Sequence, residues 1–214
     1  MVQIKTFVFN PFQENTFLLF DETNECVVID AGCNETNEHL ELLAFIEEKG
    51  LKLKKIINTH CHIDHILGNA FLVEKFGVSS VAHKADIPLL ERSNDMAIAF
   101  GFDLKKPPMP DVWVNHNDII EFGNTRLKAL HVPGHSPGSI ALYCEKDEFV
   151  IVGDVLFKGS IGRADLPGGD YDTLINSIRE NLFTLPDNIV VYPGHGEKTT
   201  IGFEKRTNPF FINY

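Results

Sequence analysis

The sequence has no run of 18 or more apolar residues, no excess of positive charge, no Cys-x-x-Cys pair and no internal repeat. The first absence excludes a membrane-spanning helix as an expectation from sequence. The second follows from 30 acidic against 19 basic residues, a formal net charge of -11. That balance argues against a nucleic-acid backbone as partner, because such proteins usually carry a basic face. It leaves room for a small anionic substrate, which needs only a local basic patch. Met1 to Asn10 alternates in character and offers no basic region followed by an apolar block, so no export leader is expected. The four cysteines, Cys26, Cys33, Cys61 and Cys144, are then expected to be reduced thiols in a cytoplasm. No low-complexity segment or fixed repeat divides the chain, so residues 1–214 read as one domain.

What is present is ordinary for a globular chain: 43% hydrophobic and 23% charged residues, enough to bury a core without staples. The N-terminal part reads as strands: Val2 to Val8 alternates, Thr16 to Phe20 is apolar, and Cys26 to Ile29 is a short apolar run. Asn34 is placed to cap a helix with Leu42, Phe45 and Ile46 on its inner face and Gly50 at its end. Leu53 to Asn58 follows as a strand, Gly68 to Phe76 as a short helix, and Val78 to Ala82 as a strand. Ala85 to Phe100 reads as a helix broken at Pro88. Lys105 to Pro110, with three prolines, must be extended and is expected to border a substrate groove. Ile119 to Phe122 and Arg126 to Val132 flank a Gly123-Asn124 turn as a hairpin. Strands at Ile140 to Cys144, Phe149 to Val152 and Ile189 to Tyr192 complete the second half, with a helix from Tyr171 to Phe183. The pattern suits two packed sheets with helices outside, a four-layer α/β arrangement, in competition with β-sandwich and mixed α/β readings.

The chemistry concentrates in Thr59-His60-Cys61-His62-Ile63-Asp64-His65, directly after an apolar strand. Imidazole nitrogen and carboxylate oxygen are the donors that zinc and similar divalent ions favour. In an extended loop His60 and His62 point to one side and can grip one ion, while Asp64 and His65 reach a neighbouring point. Each residue alone has a bland explanation, but the group would be costly to bury without a cation. Further donors stand beside glycine at strand ends: His135 after Gly134, Asp154 after Gly153, and His195 after Gly194. The inventory allots His60, His62 and His135 to one ion and Asp64, His65 and His195 to another, with Asp154 as a bridge. Shared carboxylates suit two-metal hydrolytic sites. His39, His83, His116 and His131 lack such a setting and are read as surface or packing residues.

The order H-x-H-x-D-H followed by separate His, Asp and His donors resembles the metallo-β-lactamase superfamily over nearly the whole chain. That resemblance implies an αβ/βα sandwich with the metals at one edge of the two sheets, and ligand roles for His60, His62, Asp64, His65, His135, Asp154 and His195. Gly153 to Phe157, Gly162 to Asp170, Thr200-Ile201-Gly202 and Glu204-Lys205-Arg206-x-Asn208-Pro209 resemble the short bacterial glyoxalase II type, the hydroxyacylglutathione hydrolases. The implied substrate is a small thioester such as S-lactoylglutathione, opened to a 2-hydroxy acid and a thiol. Two divalent ions are implied, zinc first, with iron and manganese compatible. Asp64 is expected to orient the attacking water, and Arg163 falls where the longer enzymes place a basic residue for the glutathione carboxylate. Those longer enzymes add a helical C-terminal segment that helps hold glutathione, and the sequence to Tyr214 has no counterpart, which leaves the carrier thiol open. The rival reading within the superfamily is a persulfide dioxygenase using one Fe(II), whose loop Thr59-His60-Cys61-His62 also resembles. A non-catalytic metal-binding or redox-sensing role is the third, disfavoured because structural zinc sites are usually closed and rich in cysteine.

Overall fold

The computed structural model describes residues 1–212. In chain order its main elements are β1 (Gln3–Phe9), β2 (Glu14–Phe20), β3 (Glu25–Ile29), α1 (Thr36–Glu48), β4 (Lys52–Ile57), α2 (Asn69–Phe76), β5 (Ser79–Ala82), α3 (Ile87–Glu91), α4 (Ser93–Phe100) and β6 (Val112–Trp113). The second half continues with β7 (Ile119–Phe122), β8 (Thr125–His131), β9 (Ile140–Cys144), β10 (Phe149–Gly153), β11 (Leu156–Phe157), β12 (Ser160–Ile161), α5 (Tyr171–Ser177), β13 (Val190–Pro193), β14 (Thr199–Thr200) and α6 (Ile201–Thr207). Two six-stranded sheets result, ordered β1-β2-β3-β4-β5-β6 and β14-β13-β10-β9-β8-β7, with β11 and β12 as a small ribbon. Each large sheet starts as an antiparallel meander and turns parallel, at β3–β4 in one and at β10–β13 in the other.

Alternation along the strands assigns each face. Phe17, Leu19, Val27, Ile29 and Ile57 of the first sheet meet Leu127, Ala129, Ile140, Leu142 and Ile151 of the second between the two sheets. The intervening residues Leu18, Val28 and Ile56 turn outward and pack under Leu42 and Ile46 of α1 and Leu72 of α2. On the far side, Val150, Val152 and Val191 lie under Leu174 of α5 and Ile201 of α6. Both faces of each sheet are therefore covered, and β2 is buried at every position. The result is the four-layer αβ/βα sandwich, which settles the choice among the three readings of the pattern. Among the described residues no helix is long and apolar enough to cross a membrane.

Local expectations needed correction at several helices. Asn34 does not cap α1; Glu38 reaches back to accept from the backbone N–H groups of Asn34 at 2.7 Å and Glu35 at 3.0 Å, so Glu35 is the cap residue. Pro88 does not break a helix but sits in the first turn of α3, where its missing N–H costs nothing; the break falls at Arg92. The helix from Tyr171 ends its α-form at Ser177 and finishes in a π-turn over Ile178–Leu182. The short pieces β6, β11, β12, β14 and α6 had no periodic signal long enough to read.

Asp21, buried in the β2–β3 turn, ties the two sheets together at the end away from the His-rich loop. Its carboxylate accepts from Asn124 N at 2.7 Å and Thr125 Oγ1 at 2.9 Å in the β7–β8 hairpin, and from Thr23 N at 3.0 Å. Burial works against its charge, but these hydrogen bonds outweigh it and hold the carboxyl below the usual range. A depressed folded-state pKa adds stability above the ordinary carboxylate value, and that stability is lost as pH falls through the folded value. Asp21→Asn should therefore destabilise the protein at neutral pH by about 1–3 kcal/mol, and the gap to the parent should close below about pH 4. Urea unfolding at the two pH values reads both effects.

Candidate metal centre

The predicted donors converge at one edge of the sandwich because each leaves the carboxyl end of a strand. His60, His62, Asp64 and His65 follow β4, His135 follows β8, Asp154 follows β10 and His195 follows β13. Glycine makes two of these exits feasible. Gly153 has φ +53, and a Cβ there would lie 2.3 Å from Thr59 Oγ1. Gly194 has no unusual φ; its reason is space, since a Cβ would stand 2.2 Å from Asp154 Oδ1. The β1–β2 hairpin holds the last donor loop: Asn15 N donates to Gly194 O at 2.7 Å, and Asn15 Nδ2 to Pro193 O at 2.9 Å.

The predicted donors form two groups, His60–His62–His135 and Asp64–His65–His195, each with ligand atoms within 4.8 Å of one another, and Asp30 makes a third such group with His60 and His65. His135 Nε2 lies 2.8 Å from His62 Nδ1 and 3.2 Å from His60 Nε2. Asp64 Oδ2 is 3.2 Å from His195 Nε2 and 3.6 Å from His65 Nε2. Asp154 stands between the groups, with Oδ1 3.5 Å from His65 Nε2 and Oδ2 3.7 Å from His135 Nε2 and 3.4 Å from His195 Nε2.

Groups behind the donors decide which ring nitrogen faces inward. Thr59 Oγ1 gives its hydrogen to Asp30 Oδ2 at 2.6 Å and accepts from His60 Nδ1 at 3.1 Å. His135 Nδ1 donates to Arg163 O at 2.8 Å, and His195 Nδ1 donates to Phe12 O at 3.0 Å. His65 Nδ1 faces Asp30 Oδ2 at 3.1 Å. These four rings therefore turn Nε2 inward, whereas His62 presents Nδ1.

Charge in the site calls for a cation. Burial, then the charges of neighbouring imidazoles, holds His60 well below its ordinary pKa and His62 at about 3. Burial also lowers His135. Inward lone pairs a hydrogen-bond length apart, with no proton between them, repel unless a cation accepts them. On the other side burial opposes ionisation of Asp154 and Asp64, but His65 and then His195 outweigh it and keep both carboxyls ionised. The same carboxylates, against burial, raise His65 and bring His195 to about 10. Asp154 Oδ1 and His65 Nε2 are buried with no hydrogen-bond partner. Orphaned buried donors and acceptors of this kind fit divalent ions.

Three supporting acids escaped the sequence reading. Asp30, fully buried, carries His65 and Thr59 as above; its setting Val27-Val28-Ile29-Asp30-Ala31-Gly32 ends an apolar strand as Asp154 does, but without the adjacent glycine. Asp86, also fully buried, clamps the two His loops together. Its Oδ2 accepts from Cys61 N and Ser136 Oγ, both at 2.9 Å, and its Oδ1 from Gly138 N at 2.6 Å. Glu14 is buried beside His65, with burial pushing its carboxyl well above the usual range. Arg163, by contrast, turns its guanidinium outward into a bidentate pair with Asp165, both contacts 2.9 Å, and meets the site only through its carbonyl. Cys61 lies between the ligands but is buried, and burial followed by Asp86 raises its thiol well above the ordinary value.

A family profile for the metallo-beta-lactamase superfamily matches residues 9–195. The chain belongs to that superfamily. It is 40% identical over 201 residues to hydroxyacylglutathione hydrolase GloC of Haemophilus influenzae, covering 93% of each chain. Among solved structures, the di-iron-bound form of TTHA1623 is 40% identical with a TM-score of 0.87, covering 97% of this chain and 100% of that one. BLEG-1 B3 metallo-beta-lactamase is 31% identical with a TM-score of 0.90, over 99% of this chain and 100% of the other.

Asp30 offers a test of the arrangement that leaves every inward-facing donor in place. Asp30→Asn should weaken zinc binding by about 10- to 100-fold in a chelator competition, with the far-ultraviolet dichroism of the parent retained.

Proposed function

We propose that the protein is a binuclear metallohydrolase that cleaves small thioesters of 2-hydroxy acids, such as S-lactoylglutathione. The observation that carries this reading is Asp154, whose two oxygens face the two donor groups from between them. His60, His62 and His135 would hold one ion, Asp64, His65 and His195 the other, and Asp154 both. The 40% identity with a protein called a hydroxyacylglutathione hydrolase supports the substrate class, and the di-iron form of TTHA1623 supports the capacity for two metals. Zinc and iron both suit imidazole and carboxylate donors. Four free and buried cysteines fit a reducing, cytoplasmic setting.

When bound, such ions supply a water acidified toward pKa ~7 and a Lewis acid for the carbonyl oxygen. The side chains of the protein do the positioning. Asp64, held ionised, accepts a hydrogen bond from the attacking water and aims its lone pair at the thioester carbon. The backbone clamp at Asp86 keeps His60, His62 and His135 in register during turnover. A thiol of ordinary pKa near ~8.5 leaves as thiolate, so no strong general acid is required. A covalent route through Cys61 is disfavoured, since its burial keeps the thiol protonated and unreactive.

Metal analysis together with an assay on S-lactoylglutathione tests the reading. The parent should carry about two ions per chain and cleave the thioester, and Asp154→Ala should lose at least one ion and about 100-fold or more of kcat/KM. One iron per chain, oxygen uptake on glutathione persulfide and no thioester cleavage would establish the dioxygenase reading in its place.

A further inference from the structure

A small pocket opens beside the metal centre at Cys61 and His62 and is walled by Ile63, Leu89, Met96, Leu166 and Pro167. It is formed where the α3–α4 junction meets the loop between β12 and α5. Its free volume is about 40 Å³. One water needs roughly 10–15 Å³ on that measure, so the pocket has room for about three non-hydrogen atoms. Its walls are mostly apolar side chains; the polar ones are His62 of the metal centre, the exposed Arg92, and one buried hydroxyl. Ser93, at the start of α4, is 1% exposed, lines the pocket, and its Oγ has no hydrogen-bond partner. A buried hydroxyl left without a partner costs stability, and Ser93 is not needed to cap its helix, since its side chain bonds nothing. A ligand group with an acceptor or donor of its own would satisfy it.

We propose that this pocket receives the acyl substituent of the substrate and that Ser93 Oγ hydrogen-bonds its 2-hydroxyl. The inference rests on the thioester reading above and specifies which part of the substrate determines selection. The lactoyl substituent CH3–CH(OH)– has three non-hydrogen atoms, a methyl for the apolar wall and a hydroxyl for Ser93. With the carbonyl directed at the metal-facing side of His62, the thiol carrier must extend toward solvent, because nothing of its size fits in 40 Å³. A propionyl group places only two non-hydrogen atoms there and leaves Ser93 unpaired. A mandeloyl group keeps the hydroxyl and exceeds the volume. Ser93 is thus a specificity residue, and Leu166, half-buried in the facing loop, sets the size limit.

The test compares glutathione thioesters of lactate, propionate and mandelate on the metal-loaded protein, with metal content as control. The parent should prefer lactoyl over propionyl by roughly tenfold in kcat/KM, one net hydrogen bond, and Ser93→Ala should bring that ratio near one. Leu166→Ala should raise mandeloyl relative to lactoyl cleavage by about tenfold or more. Calorimetry with free lactate and propionate should give the same ordering without turnover, tighter for lactate in the parent and equal in Ser93→Ala. Thioester cleavage with the lactoyl-to-propionyl ratio unchanged in Ser93→Ala overturns the role of Ser93. An unchanged mandeloyl ratio in Leu166→Ala overturns the placement of the acyl group. Absence of all thioester cleavage by the parent overturns the underlying reading instead, and the pocket assignment falls with it.

Discussion

The structure is organised around a set of charges that cannot stand alone where it is placed. Asp30 and His65 have no solvent exposure, and Asp64 and Asp154 have little. Removing an ion of either sign from water costs several kcal/mol even after the protein relaxes, and mutual attraction recovers that only with good geometry. The fold supplies the geometry by ending four strands at one edge and filling the space behind them with fixed acceptors. Thr59, Arg163 O, Phe12 O and Asp30 are these acceptors, and they belong to both halves of the molecule. A divalent cation would complete the compensation that the protein leaves unfinished at Asp154 Oδ1 and His65 Nε2.

How much of this could be read in advance follows from the range of each signal. His60 to His65 are contiguous, so local spacing reveals them. His135, Asp154 and His195 were legible because each stands beside glycine after an apolar run. Asp30 also ends an apolar run but has no glycine beside it, so that rule passes over it. Asp86 and Ser93 were not legible, since their significance arises from contacts across the sandwich, with Ser136 and Gly138 for one and with an apolar pocket for the other. The helices were legible where their apolar face spans several turns, as in α1. They were misjudged where one residue decides an end: Glu38 took the role expected of Asn34, and Pro88 proved a helix start.

The same division separates the residues that hold the donors from those that only border them. Strand ends and glycines hold the donors, and a change there would disturb the whole edge. The α3–α4 segment and the Gly162 to Asp170 loop touch the centre only from outside, through Cys61, His62 and the carbonyl of Arg163. Sites on a shared scaffold diverge through such segments, because they can change shape without altering ligation. The exposed Arg163–Asp165 pair lies in this outer layer and adds little stability of its own.

The donors are also spread along the chain in a way that matters during synthesis. His60, His62, Asp64 and His65 leave the ribosome about 135 residues before His195, roughly 7–27 s at about 5–20 residues per second. Throughout that interval the group Asp64–His65–His195 lacks its last member, and Asn15 and Phe12 wait for the loop that only the last quarter of the chain provides. Only when His195 has been made and Asn15 and Phe12 have closed on its loop can the group Asp64–His65–His195 assemble, so that half of the site is the last to be completed.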